Sequence, residues 1–95
     1  MKKIGFVMEN EKNQILTLYE RKLALEELEE TLINNDLSII TKSLLINKVK
    51  IDKEKTHEKF NRWWISKNIK YKWISNEDMS MLSIDFRANE IFIVE

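Results

Sequence analysis

Lys59-Phe60-Asn61-Arg62-Trp63-Trp64-Ile65 carries three of the chain's nine large aromatic residues within five positions. At helical pitch Phe60 lies one turn from both Trp63 and Trp64, so the three rings make a broad apolar ridge. Rings of this size dominate burial in a small domain. The stretch therefore predicts a helix whose aromatic side is packed by a preceding helix and by later strands. It also predicts that Phe60, Trp63 and Trp64 are chiefly structural.

Moving back from the ridge, Ile40, Leu44, Leu45, Val49, Lys53 and Thr56 fit the same drifting stripe. This gives a second helix from about Leu37 to about Lys67. The charged run Lys50 to Lys59 is where a kink or break would fall. Asn34-Asn35-Asp36 precedes it, and all three residue types favour turns. Before that turn, Ile15, Leu18, Tyr19, Leu25, Leu28 and Leu32 recur at three- and four-residue spacing between Lys12 and Ile33, the pattern of an amphipathic helix. Glu9-Asn10-Glu11 starts it, because acids suit a helix N-terminus and Asn is a good cap. So short a connection makes the two helices an antiparallel hairpin. Leu16 and Leu23 widen the first helix's stripe onto a second face, which predicts a homodimer that sedimentation at several concentrations would detect.

Strand patterns flank the helices. Lys2 to Met8 alternates weakly, with Ile4 and Phe6 opposite Gly5 and Val7. After the ridge, Ile69, Tyr71 and Trp73 alternate with Lys70 and Lys72, which reads as a strand with a wet lysine face. Ser75-Asn76-Glu77-Asp78 reads as a loop. Leu82, Ile84 and Phe86 alternate with Ser83 and Asp85, and Ile91-Phe92-Ile93-Val94 follows after Arg87-Ala88-Asn89-Glu90, which makes a β-hairpin. The fold class is α+β, an antiparallel helical hairpin packed against a small antiparallel sheet in the order β-αα-βββ. At 95 residues the chain forms a single domain, 1–95, with a modest core.

Composition narrows the function classes. One glycine rules out a phosphate-cradling glycine loop, and the lack of proline favours long uninterrupted elements. With no cysteine there is neither a disulfide framework nor a thiolate site, which fits a reducing, cytoplasmic setting. Lys2 and Lys3 precede too short an apolar run for a signal sequence, and no run approaches a membrane span. The net charge of zero conceals eight acids against three bases between Glu9 and Asp36, and ten bases against three acids between Lys42 and Lys72. Oppositely charged helices attract when packed antiparallel.

Catalytic patterns are weak. Glu54-Lys55-Thr56-His57 has the Glu-x-x-His spacing of di-metal bundles, with Glu26 or Glu30 able to add oxygen ligands. Such a site needs a second Glu-x-x-His, and His57 is the only histidine. No metal and no cofactor is expected. Nucleophilic catalysis needs an activated Ser, Thr or Cys, and no arrangement here supplies one. The protein reads as a non-enzyme. Lys48, Lys50, Lys53, Lys55, Lys59, Arg62 and Lys67 interleave with Trp63 and Trp64, so the alternative is a small nucleic-acid-binding or phage-type inhibitory protein using the basic second helix.

Leu18-Tyr19-Glu20-Arg21-Lys22 with Ala24-Leu25, Lys59 to Trp64, Tyr71-Lys72-Trp73, Ser83-Ile84-Asp85-Phe86 and Glu90-Ile91-Phe92-Ile93-Val94 together resemble the CXXX repeat peptide modification system protein family. The stretch from Ile39 to Lys53 departs from that pattern. Members are small accessory proteins encoded beside radical SAM enzymes and cysteine-repeat precursor peptides. The resemblance implies an accessory factor in the maturation of ribosomally made, modified peptides, with the precursor peptide, the modifying enzyme or both as partner. It carries no catalytic residue. The segment Ile91 to Val94 has no lysine or proline to protect an edge, so either a neighbouring strand such as Ile4 to Met8 covers it or it is open to another chain; on the resemblance-based reading it accepts an extended partner by strand addition. Ile91 and Ile93 are then binding residues, and Lys70 and Lys72 attract acidic residues of the partner.

Overall fold

The computed structural model describes residues 2–74 and 81–94. Its elements are β1 (Lys2–Phe6), α1 (Glu9–Ile33), α2 (Ile39–Tyr71), β2 (Leu82–Asp85) and β3 (Glu90–Ile93). This is the expected α+β arrangement of a helical hairpin and a small antiparallel sheet, with one strand fewer among the described residues. The expected loop at Ser75 to Asp78 lies outside them. No helix among the described residues is long and apolar enough to cross a membrane.

The chain divides into two compact units, Leu18–Phe60 and Met1–Thr17 with Asn61–Glu95. In the first, the later turns of α1 and the earlier turns of α2 form the hairpin. Ser38 caps α2, its hydroxyl accepting from the Thr41 amide at 3.2 Å, while Lys42 Nζ donates to the Ile33 carbonyl that ends α1 at 3.1 Å. Leu25, Leu32 and Val49 are buried, with Ile46 packed against them. Ion pairs bridge the helices, Lys53 to Glu29 at 3.7 Å and Arg21 to Asp52 at 3.9 Å, in keeping with the expected attraction.

α2 runs unbroken through Lys50 to Lys59. Lys50, Lys55 and Lys59 are exposed, whereas Thr56 is buried and satisfies its hydroxyl on the Asp52 carbonyl at 2.8 Å. The charged run is thus the solvated side of a continuous helix. Its half-buried charges, Asp52 and Lys53, are paired with Arg21 and Glu29 of α1, so nothing in the run breaks the helix.

The second unit joins the first turns of α1, the last turns of α2 and the sheet. α1 is capped by the backbone of Met8, whose carbonyl accepts from the Lys12 amide at 2.9 Å, while Glu11 reaches back to the Met8 amide at 2.9 Å. The bond from the Met8 amide to Glu11 is one half of a capping box, and the bond from Lys12 is the first of the helix's own ladder. Asn10, the residue expected to cap, is exposed inside the helix. Trp63 and Trp64 are both buried and meet edge to face with centroids 5.0 Å apart. Trp64 also meets Trp73 edge-on at 6.3 Å, and Trp73 stacks on Tyr71 at 5.3 Å.

The expected strand Ile69 to Trp73 does not form, because α2 continues to Tyr71. Ile69, which a strand would bury, is 71% exposed. Helical spacing instead brings Lys67, Lys70 and Tyr71 onto one side, where all three contact Glu11. The helix ends at Lys72, whose φ of 55° is left-handed. Its amide bonds to the Asn68 carbonyl at 2.7 Å, and the Asn68 side chain holds both the amide and the carbonyl of Ile74.

A lysine in that conformation costs about 1–2 kcal/mol, partly offset by the greater chain entropy that glycine loses on folding. Lys72→Gly should therefore stabilise the protein by roughly 0.5–1 kcal/mol, read as a rise of several degrees in the thermal midpoint. A midpoint that falls would show that Lys72 contributes contacts outweighing its backbone.

Candidate functional site

The sheet has the order β1-β3-β2, antiparallel throughout. Of the two alternatives for Ile91 to Val94, the sheet takes the covered one and corrects the favoured free edge: β3 is the central strand, with β1 paired beside it. Its apolar character on both sides of the alternation matches a strand flanked on both edges, since Ile91 is fully buried and Ile93 half-buried. Strand addition at Ile91 or Ile93 is therefore closed off.

The hydrogen bonds show why. In antiparallel pairs, opposed residues alternate between exchanging both backbone bonds and exchanging none. The Val94 amide donates to the Met81 carbonyl at 2.7 Å, so in this register Ser83 pairs with Phe92 and Asp85 with Glu90 through their backbones. The Val7 amide donates to the Asn89 carbonyl at 2.8 Å, which makes Gly5 and Ile91 the matching pair on the other side. β3 thus spends its groups in both directions. β2 spends those of Ser83 and Asp85 on β3, leaving the N–H and C=O of Leu82 and Ile84 turned to its outer side. No strand among the described residues lies there.

The two edges differ. β1 carries Lys2 and Lys3 and a register shift between Lys3 and Gly5, both of which discourage pairing. Gly5 is required on its inward side, because a Cβ there would come within 2.6 Å of Trp73 Nε1. β2 has neither lysine nor shift. Beside it Ser83, Ile84, Asp85, Phe86, Arg87 and Phe92 line an open groove of about 450 Å³. The register puts Ser83, Phe92 and Lys3 in one row of the sheet, and Asp85, Glu90 and Phe6 in the next. Lys3 Nζ pairs with Glu90 at 3.1 Å.

A second cluster centres on Glu11, a carboxylate that sequence reasoning treated only as a helix-start acid. It is 3% exposed. One oxygen accepts from the Met8 amide and, in a short bond, from the Tyr71 hydroxyl; the other takes Lys70 Nζ at 3.0 Å and Lys67 Nζ at 3.3 Å. Trp63 Nε1 donates to the Glu11 main-chain carbonyl at 3.2 Å. Burial alone would raise this carboxyl, but the bonds from Tyr71, Met8, Lys70 and Lys67 outweigh it and hold the pKa at about 2 against an ordinary 4.5. The bond to Glu11 pushes the Tyr71 phenol up, and the same carboxylate raises Lys70. Four donors use the roughly four lone-pair positions of a carboxylate, so Glu11 holds the unit together and has no acceptor capacity left for proton transfer.

The other residues singled out by the sequence are dispersed. Lys70 is committed to Glu11, and Lys72 is exposed beyond the helix end, so neither lies on a strand beside β3. Glu26, Glu54 and His57 line one cavity of about 250 Å³ with Lys22 and Lys53. No group of three His, Asp or Glu side chains among the described residues is placed to hold a metal ion. Burial of Trp63 and Trp64 removes the stacking faces that a nucleic-acid surface on α2 would need. Compared with known proteins, the chain matches no family model, no curated protein and no solved structure.

Proposed function

We propose that the protein is a non-enzymatic accessory factor that binds an extended peptide as a fourth strand along the outer side of β2. The observation that carries this reading is the outward-turned backbone of Leu82 and Ile84, which meets no strand among the described residues, on an edge without lysine, proline or bulge. Main-chain bonds would supply affinity, and the groove beside Ile84, Phe86 and Phe92 would select side chains. Saturation of Glu11 supports the non-enzymatic part. In the context implied by the family resemblance, the bound segment belongs to a precursor peptide or to the radical SAM enzyme that modifies it. A gene for such an enzyme beside this one would support that context, and a phage operon would count against it.

The test uses the backbone parity. Ile84→Pro deletes an outward-facing donor and leaves the β2–β3 ladder bonds in place, a substitution that edge strands tolerate. Linear nine-residue peptides selected by phage display on the wild-type protein should bind Ile84→Pro at least about tenfold more weakly by calorimetry, reflecting a lost bond and a blocked approach. The circular dichroism of the variant should be unchanged. Failure to select any binder, or equal binding to a folded variant, would overturn the proposal.

A further inference from the structure

Resting on that reading, we infer that the segment taken by β2 is antiparallel to it and carries, on alternate residues, an acidic, a basic and an apolar side chain in that order from its N-terminus. The inference comes from what the groove presents row by row. Ser83 and Asp85 are spaced two apart on β2, so they meet alternate residues of an added strand on one face, and Arg87, in the turn that follows, lines the same groove beyond them. The Ser83 row holds Phe92 as its neighbour on β3, and Phe86 and Ile84 line the same groove. A partner residue opposite Ser83 therefore meets a small hydroxyl beside apolar surface, and a leucine-sized side chain fits.

Opposite Asp85 the chemistry changes. Asp85 is exposed and accepts the Arg87 amide at 2.9 Å. In the same row Glu90 is occupied by Lys3 at 3.1 Å. No cationic side chain among the described residues pairs with Asp85, so a partner lysine or arginine opposite it meets an uncompensated carboxylate. Arg87, also exposed and without an acidic partner among the described residues, stands one step further and favours an acid. Opposite charges directly across an antiparallel pair stabilise it, and like charges destabilise it. The antiparallel orientation is the one that matches the existing sheet, which is antiparallel throughout, and the commoner kind of pair.

Two labelled nine-residue probes of identical composition test this, Thr-Thr-Glu-Thr-Lys-Thr-Leu-Thr-Thr and the same peptide with Glu and Lys exchanged. The first should bind the wild-type protein about tenfold more tightly, equivalent to about 1.4 kcal/mol, and added salt should narrow the difference. Asp85→Asn keeps a side-chain acceptor for the Arg87 amide but removes the charge, and should cut the preference to about threefold. Equal binding of both probes, lost in Ile84→Pro, would overturn the inference and leave strand addition standing. A preference for the exchanged probe would overturn it as well. Binding of neither probe, alongside an empty phage selection, would overturn both readings together.

Discussion

Alanine at Trp63 should lower the thermal midpoint by more than about ten degrees. The side chain is 6% exposed, meets Trp64 edge to face, and donates its indole N–H to the main-chain carbonyl of Glu11. Removing a buried aromatic costs roughly 3–5 kcal/mol through lost transfer energy and the cavity left behind. In a domain of this size each kcal/mol moves the midpoint by about 4–8 °C, so a fall of at least about 12 °C is expected. Trp63→Phe keeps most of the volume but loses the N–H bond and part of the ring, and should cost less, about 1–2 kcal/mol. The ratio of the two separates packing from hydrogen bonding. If alanine leaves the midpoint within a degree or two, Trp63 is not part of the core in solution.

Acid should weaken the protein through one residue above all. Glu11 has a folded-state pKa of about 2 against 4.5, so its contribution is complete above the ordinary value and is lost as pH falls through the folded one. At about 1.36 kcal/mol for each pH unit between the two values, up to about 3 kcal/mol is at stake. Chemical denaturation at intervals from pH 6 to pH 2 should show stability declining below about 4.5. Glu11→Gln keeps acceptors for the Met8 amide and the Tyr71 hydroxyl but cannot titrate, and should flatten that decline while lowering stability at neutral pH. Glu11→Ala leaves Lys67, Lys70 and Tyr71 without their acceptor and should cost roughly 3 kcal/mol, the low end for a broken buried pair because Lys70 is half in solvent. An acid limb unchanged in Glu11→Gln would assign the effect to other carboxylates.

Much of the architecture was legible from local pattern. The three- and four-residue spacing of Ile15, Leu18, Leu25 and Leu32, the turn residues Asn34 to Asp36 and the aromatic ridge imply two helices joined as a hairpin. Alternation at Leu82 to Phe86 and Ile91 to Val94 implies the terminal β-hairpin. These features are readable because helix and strand periods and turn chemistry are properties of neighbouring residues.

Three features were settled only by contacts between distant parts of the chain. The alternation of Ile69, Tyr71 and Trp73 is too short to tell a strand from the last turn of a helix; Glu11, some sixty positions away, selects the helix by gathering Lys70 and Tyr71 on one side. Glu11 itself looks like any acid in a first helical turn until its donors bury and saturate it. The place of β3 depends on β1, from the other end of the chain, pairing beside it. An apolar run such as Ile91 to Val94 reads alike as an unguarded edge or a central strand, and local pattern does not say which neighbours will arrive. That pairing moved the candidate binding edge from Ile91 and Ile93 to Leu82 and Ile84, because strand order is a property of the assembled sheet and not of any one strand.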